Sequence, residues 1–270
     1  MTYAPRRVVS LQPSATVTLR DVGRLASLVG ATKYCREVCP EFSETAVTIV
    51  ADSWTAQAEQ IAGLHPDLVI ASVPYQEKAI AEIMKCGARF LGLAPKSLDD
   101  IYIDIAAIAG VMDAAEEGLR VIQRMRDEIN CFHSRTQKLP KRRVFCEEWG
   151  KPLIASQYWV AELVKAAGGE FIGKAGAQTS FAEVAQQSPD VLVAAWCGAG
   201  DRVPLEKIIQ PRDWENIPAV KDGRVYCIRD EYLNTPAPTL LRGLHALAAA
   251  IHPEHFSPPD GLRQIQKTIS

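Results

Sequence analysis

The sequence predicts an α/β protein of two lobes, each built on a parallel sheet, joined by one long helix. Apolar strand-like runs alternate with stretches of helical period, the pattern of βα units that assemble a parallel sheet. The alternation occurs twice, at a repeat of about 125–135 residues, too long for a solenoid, whose units run ~20–50 residues. Between the two copies lies DAAEEGLRVIQRMRDEINCFHSRTQ (113–137), with Leu119, Ile122, Met125, Ile129 and Phe132 at gaps of three and four, one face of a helix. Asp113 is placed to cap it, Glu116 and Glu117 sit in its first turn, and Leu139-Pro140 stops it. At 1.5 Å per residue such a helix spans roughly 37 Å, the width of a domain. The expected organisation is a first lobe at 1–112, a linking helix at 113–138 and a second lobe at 139–270.

In chain order, RRVVSL (6–11) is a basic pair entering a short strand, and Gln12-Pro13-Ser14 is a turn in which Ser14 can cap a helix over 15–29 that Gly30 ends. An irregular stretch holding Cys35, Cys39 and Pro40 leads to a strand at 47–50, then Asp52-Ser53-Trp54 and a helix over 55–63. HPDLVIAS (65–72) is a turn feeding a buried parallel strand; helix 76–86, strand 88–93 and helix 98–110 follow. After the long helix, Arg142-Arg143-Val144-Phe145-Cys146 repeats the opening strand and helix 158–167 ends at Gly168-Gly169. Phe181 opens a helix that leads to SPDVLVAA (188–195), in which Pro189 and Asp190 answer Pro66 and Asp67. Helix 204–209, a packing Trp214, strand 224–228 and helix 238–251 complete the second lobe.

Of 270 residues 47% are hydrophobic and 23% charged, with a net charge of −2, which suits a folded chain and gives no attraction to nucleic acid or an anionic membrane. No apolar run reaches the ~20 residues of a membrane span. The N-terminal MTYAPRRVVSLQPSAT lacks the apolar core of a secretory signal, and seven cysteines are scattered without framework spacing. Together these point to a cytoplasmic monomer with reduced thiols, or a periplasmic one if a leader has been removed.

Open parallel sheets bind ligands outside the carboxyl ends of their strands. Here those ends carry Pro13 and Ser14, Trp54, Tyr75, the run Glu147-Glu148-Trp149, the pair Trp196-Cys197, and Tyr232. At least three of the chain's five tryptophans fall on these loops, which suits a broad, flat, partly apolar ligand held in a cleft between the lobes. Ser14, Glu147 and Glu148 would add hydrogen bonds. Phe181 belongs to the same candidate set.

The motifs RRVVSLQPSAT, LHPDLVIAS, PKRRVFCEEWGKP, ELVKAAGGE, AVKDGRVY and YLNTPAPTLLRGL stand in an order and spacing that covers essentially the whole chain. They resemble the substrate-binding proteins of ABC importers for cobalamin and iron chelates, the class whose two Rossmann-like lobes are joined by a single helix. EEWGKPLIASQYWVAELVKAAGG and YLNTPAPTLLRGLHALAAAIHPEHF are similar to a subgroup of its cobalamin-binding branch that often lacks an export signal. The resemblance implies a corrinoid held by aromatic side chains without catalysis, the corrinoid being ligand and no cofactor being required. It places Tyr75 and Trp196 as stacking rings after the paired Pro-Asp strands, Trp54 before the first of them, and Trp149, Trp159 and Tyr232 at the second lobe's mouth. It also matches Glu77, and roughly Glu206, to the carboxylates that meet a permease. An iron-chelate or haem binder, and a cytoplasmic enzyme or cofactor chaperone on the same fold, are the alternatives.

No catalytic or metal motif competes. There is no phosphate-binding glycine loop, nucleophile elbow or His-Glu-x-x-His, and no cysteine has a histidine beside it in sequence. Cys35-x3-Cys39 lacks the further ligands a metal needs. His245, on the last helix, reads as a packing or surface residue and not as a cobalt ligand.

Overall fold

The computed structural model describes residues 4–44, 47–72 and 77–265. The chain divides into two compact units, Met1–Met125 with Pro236–Pro238 and Arg126–Thr235 with Thr239–Ser270. The division falls inside the long helix, where the sequence alone suggests a separate linking segment.

In the first unit β1 (Val8–Ser10), β2 (Leu28–Ala31), β3 (Thr48–Ile49), β4 (Leu68–Ser72) and β5 (Arg89–Leu93) form a five-stranded sheet in the order β3-β2-β1-β4-β5, with every pair parallel. The central β1 and β4 are buried along their whole length, as their unbroken apolar runs require of strands covered on both faces. The helices are α1 (Pro13–Asp21), α2 (Lys33–Val38), α3 (Ala58–Ala62), α4 (Glu77–Lys85) and α5 (Leu98–Val111).

Two sequence expectations fail here. The helix drawn over 15–29 stops at Asp21, because Gly23 turns the chain at φ +71° and residues 28–31 join the sheet as β2. Gly30 is therefore a strand residue: a Cβ on it would lie 2.5 Å from Leu64 Cδ1 and 3.1 Å from Val9 Cγ2. Ser14 does not cap α1 either. Gln12 occupies the cap position and Pro13 the first helical one, where a missing N–H is harmless.

α6 (Ala115–Thr136) is the long helix. Asp113 is not its cap, since it sits at φ +53° in the turn before it. Leu119 is 64% exposed, and the buried face runs instead through Gly118, Val121, Ile122, Met125 and Phe132. Gly118 takes the place of a large side chain because a Cβ there would come within 2.5 Å of the Ala109 Cβ on α5.

The second unit holds β6 (Arg142–Gly150), β7 (Leu153–Ala155), β8 (Gly169–Phe171), β9 (Val191–Ala194), β10 (Val225–Ile228) and β11 (Leu262–Gln264). Its sheet runs β11-β10-β9-β6-β7, and β8 pairs with the start of β6. The pairs among β10, β9, β6 and β8 are parallel, whereas β7 and β11 are antiparallel, so this sheet is mixed where the sequence suggests a purely parallel one. The helices are α7 (Tyr158–Ala166), α8 (Phe181–Gln186), α9 (Leu205–Ile209), α10 (Pro218–Lys221), α11 (Glu231–Asn234) and α12 (Leu240–Ile251).

The paired His-Pro-Asp and Ser-Pro-Asp motifs do the same structural work in both units. His65 and Ser188 take φ +47° and +44°, the left-handed turn that stops the preceding helix. Asp67 accepts the backbone N–H groups of Arg6 and Arg7 at 2.8 and 3.0 Å, and Asp190 accepts that of Arg143 at 2.7 Å. Each carboxylate thus fixes the entry of the central strand beside it. Ile61 and Val184, each five residues before its proline, are both buried in their unit's core.

Candidate functional site

β6 is longer than its sequence suggests. It continues through Glu147, Glu148 and Trp149 to Gly150, then turns at Lys151-Pro152 into the antiparallel β7. These three residues therefore belong to the strand, with a register shift between Glu147 and Trp149 that separates the facing of their side chains.

Glu147 is buried, and its carboxylate accepts Arg212 Nη1 at 2.7 Å and Nη2 at 2.9 Å, together with the Trp196 indole N–H at 2.7 Å. Arg212 comes from the 3-10 turn Gln210–Arg212 after α9. Its guanidinium stands 4.8 Å from the ring centroids of both Phe181 and Trp214. A buried charge needs a partner, and here each member of the pair is the other's. Trp196, after β9, lies against the β6 backbone so closely that a Cβ on Gly150 would fall 2.6 Å from its ring.

Above this pair opens a cavity of about 520 Å³ lined by Trp149, Phe181, Trp196, Ile208, Arg212, Lys151 and Lys207, among others. Trp149 is 44% exposed, its indole N–H donating to the Lys151 carbonyl at 2.8 Å. Phe181 is held at the first position of α8 by a capping box between Ser180 and Glu183. The site offers aromatic rings over a neutralised floor, so it suits an apolar or aromatic face.

A second cluster adjoins it. Glu148 accepts Gln157 Nε2 at 2.8 Å and lies 4.0 Å from Cys197 Sγ, which also receives Asn234 Nδ2 at 3.3 Å. Burial pushes the Glu148 carboxyl up. Burial, then the carboxylates of Glu148 and Asp230, push the Cys197 thiol up to about 12. Such a thiol stays protonated at neutral pH and is a poor nucleophile.

Among the remaining sequence candidates, Trp159 and Tyr232 are buried, and Trp159 donates its indole N–H to the Leu233 carbonyl at 2.9 Å. Both pack within the second unit instead of lying exposed at its mouth. In the first unit Pro13 is half-buried and Ser14 buried. Trp54 is 44% exposed on a turn closed by Asp52, whose Oδ1 accepts the N–H groups of Trp54 and Thr55 at 3.0 and 3.1 Å. Tyr75 lies outside the described residues. Glu77 opens α4 and Glu206 stands in the first turn of α9, both exposed. Arg212, Lys151, Lys207 and Ile208 are site residues the sequence reading passes over. The acid doublet Glu147-Glu148 at a strand end was the available signal, because a buried carboxylate calls for a cation somewhere.

Among the described residues, no group of three or more His, Cys, Asp or Glu is placed to hold a metal ion, and no helix is long and apolar enough to cross a membrane. Residues 8–232 match the family model described as periplasmic binding protein. The chain belongs to that family. Its members are non-catalytic substrate-binding proteins of ABC importers. The vitamin B12-binding protein of Vibrio vulnificus is 26% identical over 261 residues, 93% of this chain and 90% of that one. In solved structures, the periplasmic vitamin B12 binding protein BtuF of Vibrio cholerae superposes with a TM-score of 0.75 at 22% identity, over 94% of this chain and 99% of that one. A periplasmic heme binding protein of Pseudomonas aeruginosa reaches 0.84 at 18% identity, over 98% of this chain and 100% of that one. At those identities the two structures establish the fold alone, and it is the two-lobed α/β fold that the motifs imply.

Proposed function

We propose that this protein binds a corrinoid, cobalamin or cobinamide, without transforming it, and that the aromatic pocket of the second unit is the main contact. The observation that carries this is the set of Trp149, Trp196 and Phe181 around one cavity whose buried cation is already neutralised by Glu147. Burying ~400 Å² of apolar surface is worth roughly 10 kcal/mol gross at about 25 cal/mol/Å², less several kcal/mol for association, which leaves nanomolar to micromolar binding. The whole-length similarity to a vitamin B12-binding protein supports the same reading.

Absorbance and calorimetric titration with cobalamin, cobinamide and haem tests this. The expected result is a corrinoid bound at least about tenfold more tightly than haem; the reverse order would overturn the proposal. One observation favours the second reading, an anionic porphyrin or iron chelate: Lys151 and Lys207 line the same pocket and are exposed, so they could meet carboxylates. Docking on an importer's permease is proposed through Glu77 and Glu206, both exposed on short helices. Substituting both by alanine should weaken capture of the permease and leave ligand affinity unchanged.

A further inference from the structure

We infer that Glu147 sets the charge selectivity of the pocket by cancelling the Arg212 guanidinium beneath it; the inference rests on the proposal that a macrocycle binds there. Both groups are buried, with side-chain exposures of 3% and 5%, and they meet at 2.7 and 2.9 Å. Yet Arg212 also lines the cavity, so an unbalanced charge at that position would act on a ligand through protein and not through water. Buried charges interact far more strongly than solvated ones. Lys151 and Lys207 are exposed, and solvent and salt screen such groups. The state of the floor, and not the lysines, therefore decides whether a ligand carboxylate gains or loses by entering. With Glu147 in place the floor is neutral and the pocket favours amide-bearing or uncharged rims over carboxylates.

A Glu147→Gln variant isolates this effect, because the amide oxygen can still accept the Trp196 indole N–H now bound at 2.7 Å while the negative charge is gone. The measurement is a ratio of affinities, at fixed salt and pH 8, for two ligands of one ring system that differ by a carboxylate. One pair is cobinamide and a corrinoid with a free side-chain carboxylate; the other is haem and its dimethyl ester. The expected result is a shift of at least about tenfold toward the carboxylate member in E147Q. Arg212→Gln is the second variant and should move the ratio the opposite way. An unchanged ratio in whichever variant folds, or a shift of the wrong sign, overturns the inference. Whether wild type binds either ring system tests the ligand proposal, so the two ideas fail separately.

Discussion

The carboxyl ends of the two central strands solve one problem in opposite ways. Beyond β1, Gln12 donates to the Ser53 hydroxyl and, at 3.2 Å, to the Ser72 carbonyl, and Thr16 donates to the Ser10 hydroxyl at 2.8 Å. Every one of those groups is uncharged. Near the end of β6 a full ion pair is buried instead, with the Arg212 guanidinium over the rings of both Phe181 and Trp214. The Pro-Asp entry turns are shared, but β1 leads into α1 whereas β6 runs on into the antiparallel β7, so the two strand ends differ in backbone as well as in side-chain chemistry. Repeated architecture therefore does not mean repeated sites; chemistry is grafted on each copy separately.

The largest effect should come from breaking that ion pair. Glu147→Ala leaves Arg212 buried and uncompensated and should lower stability by about 3–5 kcal/mol in urea unfolding. Gln12→Ala in the first unit removes only neutral hydrogen bonds and should lower it by about 1 kcal/mol. Equal losses would show that the two strand ends are energetically alike after all. Next in size, Trp149→Ala and Trp196→Ala should each weaken ligand binding ~10–100-fold by titration. A loss as large on Trp54→Ala would move the main contact to the first unit. Smaller again, Asp67→Asn and Asp190→Asn remove the charge from equivalent strand-entry contacts. Each should lower stability by ~0.5–1.5 kcal/mol, and a clear inequality would show that the equivalence is only geometric.

Much of this contrast was written locally in the sequence. The Pro-Asp turns and most of the alternation of strands and helices are short-range patterns, and the structure places them as read; of the aromatic candidates it brings Trp149 and Trp196 to one pocket and buries Trp159 and Tyr232. What escaped was long-range or depended on a missing side chain. Arg212 is 65 residues from Glu147, so no window of sequence joins them. β2 was hidden because LASLVGA reads equally as helix until Gly30 is seen packing against Leu64 and Val9. The helix face shifted from Leu119 because Gly118, which carries no hydrophobic signal, packs against Ala109. Trp159 is legible as core and not as ligand contact, because Val160, Leu163, Val164 and Ala166 share its buried face of α7.

A last prediction separates the units by pH. In the second unit His252 is fully buried, and burial first, then Arg142, hold its pKa below the ordinary 6.5. As the pH falls through 6.5 the unfolded chain takes up a proton that the folded chain refuses, so stability is lost from there down to the depressed folded value. In the first unit Asp104 on α5 shows the reverse: burial, then the charge of Asp100, raise its carboxyl from 3.8 to about 6. The folded chain takes up that proton first, so this contribution is full below 3.8 and disappears as the pH rises through about 6. Urea unfolding of His252→Gln and Asp104→Asn at pH 7.5 and 5.0 should therefore change the wild-type pH slope in opposite directions. The first should lessen the loss on acidification, and the second should stabilise the chain more at the higher pH. Slopes that move together would mean that neither burial, but some shared titration elsewhere, governs the acid response.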